Sequence, residues 1–166
     1  MMLYVLRHGV AEEVGPEGTD GSRRLTPGGR RKLRAAAAGM RALGVTFDAI
    51  LTSPLVRAAE TAVIVAEAQG SQAAPRELSA LEPGVPPVET VGALRAFARH
   101  EHVAIVGHEP SLSGVVAFLL TGSPDGLRLV LKKGGLVALE VHDPGRVGRA
   151  TLRYMLTPRQ LRRLAR

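Results

Sequence analysis

The chain has 166 residues, of which 45% are hydrophobic, 3% aromatic and none cysteine, and its formal net charge is +7. That is about one domain's length, with enough Leu, Val and Ala for a single sizeable core. The composition excludes disulfides, thiolate zinc sites and cysteine nucleophiles, and no apolar run approaches the roughly 18 residues of a membrane helix. The N-terminal apolar run is short and no basic region precedes it, so no signal peptide is expected. The reading is a cytoplasmic protein that engages no membrane.

Nearly all the positive charge is Arg, which binds phosphate in a bidentate way. Such a balance fits either nucleic acid or a small anionic substrate. The scarcity of base-stacking aromatics argues against nucleic acid. Much of the charge falls in Arg23 to Arg34 and Arg159 to Arg166, which read as solvated helix faces.

In chain order, Met2 to Arg7 is a short continuous apolar run that reads as a buried strand, ended by Gly9. Residues 10–25 lack periodicity and carry four Gly or Pro residues, so they form a loop, long enough to suggest a functional one. Thr26-Pro27 opens a helix, with Thr26 as N-cap and Pro27 at the first helical position. It continues through Leu33, Ala36, Ala37, Met40 and Leu43 to Gly44. Asp48 to Thr52 is a second strand, Ser53-Pro54 breaks it, and a helix from Val56 to Ala68 closes at Gly70. Pro75 to Leu78 reads as a short strand and Glu82-Pro83-Gly84 as a loop. Pro87 to His100 reads as a helix with Val88, Val91, Leu94 and Phe97 on one face.

His102 to Gly107 is the clearest strand after the first, followed by a helix from Ser111 to Leu120. Leu127 to Leu131, Gly135 to Val141 and Ala150 to Leu156 read as strands joined by turns, and Thr157-Pro158 opens a last helix. Strands alternating with helices predict an α/β fold, a three-layer αβα sandwich with a mainly parallel central sheet. Antiparallel edge strands are expected near the C-terminus, and residues 1–166 are expected to form one domain.

Four polar elements sit just after a strand or at a helix start: Arg7-His8, Ser53-Pro54 with Arg57, Glu82, and His108. In an open α/β sheet, ligands bind outside the carboxyl ends of the strands. Arg57 then lies in the first turn of a helix whose free N–H groups favour an anion. Two arginines, two histidines and a helix N-terminus aimed at one spot repel each other unless an anion joins them, and a phosphoryl group is such an anion. The bland alternatives are a strand-end histidine for His8, a structural hydrogen bond for His108, a surface position for Arg7 and an ion pair with Glu60 for Arg57. Ser53 reads as a helix cap, and His100, His102 and His142 read as structural. No His, Asp and Glu cluster has metal-ligand spacing, so no metal and no cofactor are expected.

The segments Leu6-Arg7-His8-Gly9, Thr52-Ser53-Pro54-Leu55-Val56-Arg57-Ala58-Ala59-Glu60-Thr61 and Val106-Gly107-His108-Glu109-Pro110 resemble the histidine phosphatase superfamily, also called the phosphoglycerate mutase-like fold. The short length and Ser22-Arg23-Arg24-Leu25-Thr26 look most like its small phosphohistidine phosphatases of the SixA type. The resemblance implies that His8 is the nucleophile that becomes a phosphohistidine, and that Arg7, Arg57 and His108 hold the phosphoryl oxygens. Arg23 matches a further phosphate-binding position, with the adjacent Arg24 as its competitor. His8 must attack as neutral imidazole, which needs an acceptor for its other ring nitrogen, expected to be a backbone carbonyl near Gly9.

Many members of the superfamily use a carboxylic acid to protonate the leaving group, and Glu82 lies near where it occurs in larger relatives. Asp20, Glu12 and Glu109 are the other candidates. The expected substrate is a phosphohistidine on a partner protein or a small phosphorylated compound. The alternatives are a phosphatase of sugar phosphates, nucleotides or phosphoserine, and a phosphate-binding module without turnover. The sequence leaves the oligomeric state open.

Overall fold

The uncharged runs from Leu3 to Leu6 and from Val103 to Val106 are buried on both faces, which is what a central strand between two helix layers requires. The structure, a computed structural model, describes residues 1–165, and among these a sheet of six strands forms. In chain order they are β1 (Met2–Arg7), β2 (Ala49–Thr52), β3 (Arg76–Glu77), β4 (His102–Gly107), β5 (Leu136–Glu140) and β6 (Thr151–Leu156). They lie side by side as β3-β2-β4-β1-β5-β6. The pairs β1–β4, β2–β4 and β2–β3 are parallel, whereas β5 runs antiparallel to both β1 and β6. The mainly parallel sheet with antiparallel strands at its C-terminal side is therefore present.

Five α-helices cover the sheet: α1 (Pro27–Ala42), α2 (Val56–Gln69), α3 (Pro87–Leu94), α4 (Ser111–Thr121) and α5 (Pro158–Leu164). Successive strand residues point to opposite faces. Tyr4, Leu6, Ile50, Ala104 and Val106 meet Leu33, Met40, Ala62, Val65 and Leu161 of α1, α2 and α5. Leu3, Val5, Leu51, Val103 and Ile105 meet Val91, Leu94, Leu112, Val115 and Leu119 of α3 and α4. These are the two cores of an αβα sandwich. Among the described residues no helix is long and apolar enough to cross a membrane.

Local chemistry fixes the ends. Thr26 accepts a hydrogen bond from the Gly29 N–H at 2.9 Å, and Pro27 occupies the first turn of α1. Thr157 and Gln160 form a reciprocal capping box on α5. A Cβ at Gly39 would stand 1.8 Å from the Leu161 carbonyl oxygen, so glycine is what lets α1 and α5 approach so closely.

Two expectations fail. Residues 127–131 form no strand; the Leu131 carbonyl accepts from Arg7 Nη1 at 2.9 Å instead of joining a ladder. The helix expected over residues 87–100 is α3 only to Leu94, followed by a tight turn at Arg95–Phe97. Val88 is 57% exposed, and the buried side is Thr90, Val91 and Leu94. Three-residue steps drift about 60° round a helix at each step, so Val88 and Leu94 cannot share one buried line.

Candidate active site

The parallel register builds the site. Arg7 pairs with Gly107 across β1 and β4, and Thr52 pairs with Val106 across β2 and β4. The residues that follow, His8, Ser53 and His108, therefore emerge together at the carboxyl edge. The backbone continues the pairing one step further: His8 N–H donates to Gly107 O at 3.1 Å and Ser53 N–H to Val106 O at 2.9 Å. The His8 and His108 rings stand 5.0 Å apart, tilted by 51°. Both are buried, at 6% and 3% exposure, and Arg57 is buried with them at 4%.

Arg7, His8, Asp20, Arg23, Arg57, Pro83, His108, Glu109 and Lys133 surround one cavity of about 230 Å³. Of the sequence candidates, Arg7, His8, Arg23, Arg57 and His108 meet there. Arg24 is exposed and outside the lining, so of the adjacent pair it is Arg23 that faces the cavity. Glu82 is absent from the lining. It follows the short turn Ser79–Leu81 in extended conformation, and its neighbour Pro83 faces the cavity in its place. Glu12 is also outside the lining, and its carbonyl accepts from Arg23 Nε at 2.6 Å. The carboxylates that do reach the cavity are Asp20 and Glu109.

Each imidazole has its tautomer set by a neighbour. His8 Nδ1 lies 2.7 Å from Gly9 O, so Nδ1 carries the proton and Nε2 keeps its lone pair. Burial, then the positive charge of His108, Arg57 and Arg7, depresses the His8 pKa to about 3, against the upward pull of the Gly9 hydrogen bond. Ser53 Oγ accepts from Leu55 N–H at 3.3 Å and meets His108 Nε2 at 2.9 Å. We assign the hydroxyl proton to Nε2, the acceptor that Ser53 Oγ reaches, which places the His108 proton on Nδ1. Burial, with Arg57 and Arg7 nearby, lowers His108 to about 4. Ser53 is thus not the helix cap its sequence position suggests: the N-cap of α2 is Leu55, without a side-chain bond, and Ser53 partners His108 instead.

The guanidiniums are anchored in the same manner. Arg57 donates from Nη1 to Asp20 O at 2.7 Å and from Nη2 to Asp20 Oδ2 at 2.9 Å. Arg23 Nη1 donates to Asp20 Oδ1 at 2.7 Å. One carboxylate thus serves both cations, and they hold it below the usual carboxylate range. Glu60 does not pair with Arg57; it takes Arg30 and the Leu25 N–H. Thr61 ties α2 to the segment after β1 by accepting from Gly9 N–H at 3.0 Å, and it donates to Arg57 O at 2.7 Å. The free N–H groups expected at the start of α2 are not all free, because Val56 N–H donates to Gly21 O at 3.2 Å.

Four buried polar atoms at this cavity's residues have no hydrogen-bond partner: Arg7 Nε, Arg57 Nε, His108 Nδ1 and Glu109 Oε1. Three are donors. Buried donors cost about 1–3 kcal/mol each when unmatched, and an anion with several oxygens is the ligand that matches them. Among the described residues no three His, Asp or Glu side chains are grouped to hold a metal ion.

Sequence reasoning missed Lys133, which lines the cavity from the far end of the chain. The signal was weak because Lys133-Gly134 reads as a plain turn. That turn is fastened to the site: Gly134 N–H is shared between Arg7 O at 3.0 Å and His8 O at 3.1 Å.

Residues 3–81 match the model of the histidine phosphatase superfamily (branch 1). An uncharacterized protein of a Picosynechococcus strain is 35% identical over 145 residues, which is 84% of each chain. The structure of a protein histidine phosphatase SixA complexed with tungstate superposes with a TM-score of 0.85 at 23% identity, covering 97% of this chain and 99% of that one. A phosphoserine phosphatase mutant from Entamoeba histolytica in complex with phosphoserine superposes with a TM-score of 0.67 at 16% identity, covering 96% and 98%. The sequence match and the common fold make this chain a member of the histidine phosphatase superfamily, and a phosphatase by class.

Proposed function

We propose that the protein hydrolyses phosphoryl groups through a covalent phosphohistidine on His8, and that its substrate is a phosphohistidine carried by a partner protein. The observation that carries the first part is the set of three buried, unmatched donors beside a neutral imidazole whose Nε2 lone pair is free. In the first step Nε2 attacks phosphorus, and the bond from phosphorus to the leaving group breaks as the P–N bond forms. Arg7, Arg57, Arg23 and His108 hold the phosphoryl oxygens. In the second step water attacks phosphorus, the P–N bond breaks, and the electron pair returns to Nε2 as orthophosphate leaves. Phosphoryl transfer needs positioning and charge stabilisation above all. Charged hydrogen bonds of about 1.5–3 kcal/mol each, strengthened in the transition state, supply several factors of ten in rate.

The protein substrate is supported by the likeness to SixA and by the exposure of the rim residues Asp20, Pro83 and Lys133 around buried His8 and His108. A second reading, hydrolysis of small phosphomonoesters, is supported by the likeness to the phosphoserine-bound phosphatase. The test is a phosphoenzyme trap with a substrate panel. The wild type should give an acid-labile phosphohistidine that the His8→Ala variant lacks, with turnover abolished and the circular dichroism spectrum unchanged. Appreciable turnover by that variant removes His8 as nucleophile. A kcat/KM at least about tenfold higher on a phosphohistidine peptide than on phosphoserine or sugar phosphates supports the protein substrate. The reverse order moves the reading to small esters, and binding of phosphate with no phosphoenzyme leaves a module without turnover.

A further inference from the structure

Among the four unmatched atoms, Glu109 Oε1 is the odd one. Arg7 Nε, Arg57 Nε and His108 Nδ1 are donors that suit an oxyanion, whereas Glu109, which lines the same cavity, repels one as a carboxylate. The conflict disappears if the carboxyl is protonated, because Oε1 then becomes a fourth donor. The other oxygen already has a partner: Ser113 Oγ donates to Oε2 at 2.6 Å, which leaves Oε1 as the atom that carries the proton.

Position gives that proton a use. Glu109 lines the cavity around His8 and also the larger neighbouring groove of about 590 Å³, formed with Val85, Pro87, Ser111, Asp125 and Arg128 among others. Glu109 is the carboxyl that borders both spaces, so a leaving group that extends from the His8 cavity into the groove passes it. We propose that Glu109, as a neutral carboxylic acid, protonates the leaving group during phosphorylation of His8 and accepts a proton from the attacking water afterwards. The proposal rests on the phosphohistidine reading above.

The transfer balances. As His8 Nε2 bonds to phosphorus, the ester oxygen or imidazole nitrogen of the substrate departs and takes the Oε1 proton. The resulting carboxylate is stabilised by Arg7 and by Ser113. In the second step that carboxylate takes one proton from the water that attacks phosphorus, and the acid is restored.

Burial raises the Glu109 pKa, while Ser113 and Arg7 pull it down. A group pulled both ways is suited to change protonation state within one cycle. The competing carboxylates lack this balance. Asp20 is held ionised by Arg23 and Arg57, and Glu82 and Glu12 do not line the cavity.

The test compares Glu109→Gln with wild type on leaving groups of rising basicity: p-nitrophenyl phosphate, phenyl phosphate and phosphoserine. Glutamine keeps the shape and removes the transferable proton. The loss in kcat/KM should grow along the series, from under about tenfold on p-nitrophenyl phosphate towards about 10²–10⁴-fold on phosphoserine. Equal losses on all three, as a structural role would give, or no loss on any, overturn the proposal. A second variant guards against misfolding. Ser113→Ala removes a bond that favours the carboxylate, so the alkaline limb of kcat/KM on phenyl phosphate should move to higher pH, and an unmoved limb counts against Glu109. Phosphoenzyme trapping with p-nitrophenyl phosphate separates the two levels. If wild type forms no phosphohistidine, the reading of His8 fails. If wild type and Glu109→Gln both form it but the losses do not depend on the leaving group, the acid role alone fails.

Discussion

His8 and His108 are two imidazoles 5.0 Å apart among three guanidiniums, and the proposed attack by His8 needs a neutral ring. Burial is the main cause, depressing His8 to about 3 and His108 to about 4. The sign of the consequence follows. An imidazole with a folded pKa below its unfolded value near 6.5 takes up its proton at higher pH in the unfolded chain. Stability is therefore full above about pH 6.5 and falls as pH drops towards about 4. Glu109, raised by burial, acts in the opposite sense. Asp20, held low by Arg23 and Arg57, keeps its contribution until below the ordinary carboxylate range. Between about pH 6.5 and 5 the two histidines outweigh the single opposing carboxyl. The melting temperature should fall measurably from pH 7 to pH 5, and the His8→Asn/His108→Asn double variant should show a flatter dependence. Equal slopes in scanning calorimetry would mean that the imidazoles take up protons in the folded chain without cost.

Elements are held together by backbone approaches as much as by side chains, and two glycines test this with opposite signs. Gly39 lies in the middle of α1, where alanine is about 1 kcal/mol better than glycine by propensity. Its Cβ would meet the Leu161 carbonyl, which is backbone and cannot rotate away. Gly39→Ala should lower the melting temperature by several degrees, as overpacking of about 1–3 kcal/mol implies. Gly92 in α3 has nothing within 4 Å of a new Cβ, so Gly92→Ala should raise it by a degree or more. Thermal melts of both variants decide it, and a stabilised Gly39→Ala would mean that α5 shifts freely.

The same scale shows what a sequence can reveal. The strands β1, β2 and β4 are uncharged runs that end in Arg7-His8, Ser53 and His108, so their shared edge follows once they are parallel. Nothing local distinguishes residues 127–131 from a strand, because what they lack is a neighbour to pair with. The partners of Arg57 were equally illegible: Asp20 arrives on a long loop, whereas the nearer Glu60 looks the better match and is taken by Arg30. Lys133 and Glu109 reach the cavity by turns whose direction only the folded backbone fixes.

At the scale of the whole molecule, the charge of +7 exceeds what the cavity needs. Arg31 and Arg34 on α1 and Arg159 and Arg163 on α5 are exposed, make no ion pair among the described residues and do not line the cavity. Their field is long-ranged at low ionic strength and is cut off at about 10 Å in 0.1 M salt. A phosphorylated substrate approaching from solution feels all of them at low salt, but at high salt only Arg7, Arg23, Arg57 and Lys133 at the cavity. Exchanging the four for Glu changes the charge by two at each position and takes the chain from +7 to −1 while leaving every cavity side chain in place. The kcat/KM of this variant on p-nitrophenyl phosphate should be several-fold below wild type in about 0.02 M salt and should converge with it in about 0.5 M salt. Its kcat should not change, because the donors proposed to hold the phosphoryl group are untouched. An equal kcat/KM for both proteins at low salt would mean that attraction is confined to the cavity, with the arginines of α1 and α5 serving only as a solvated surface.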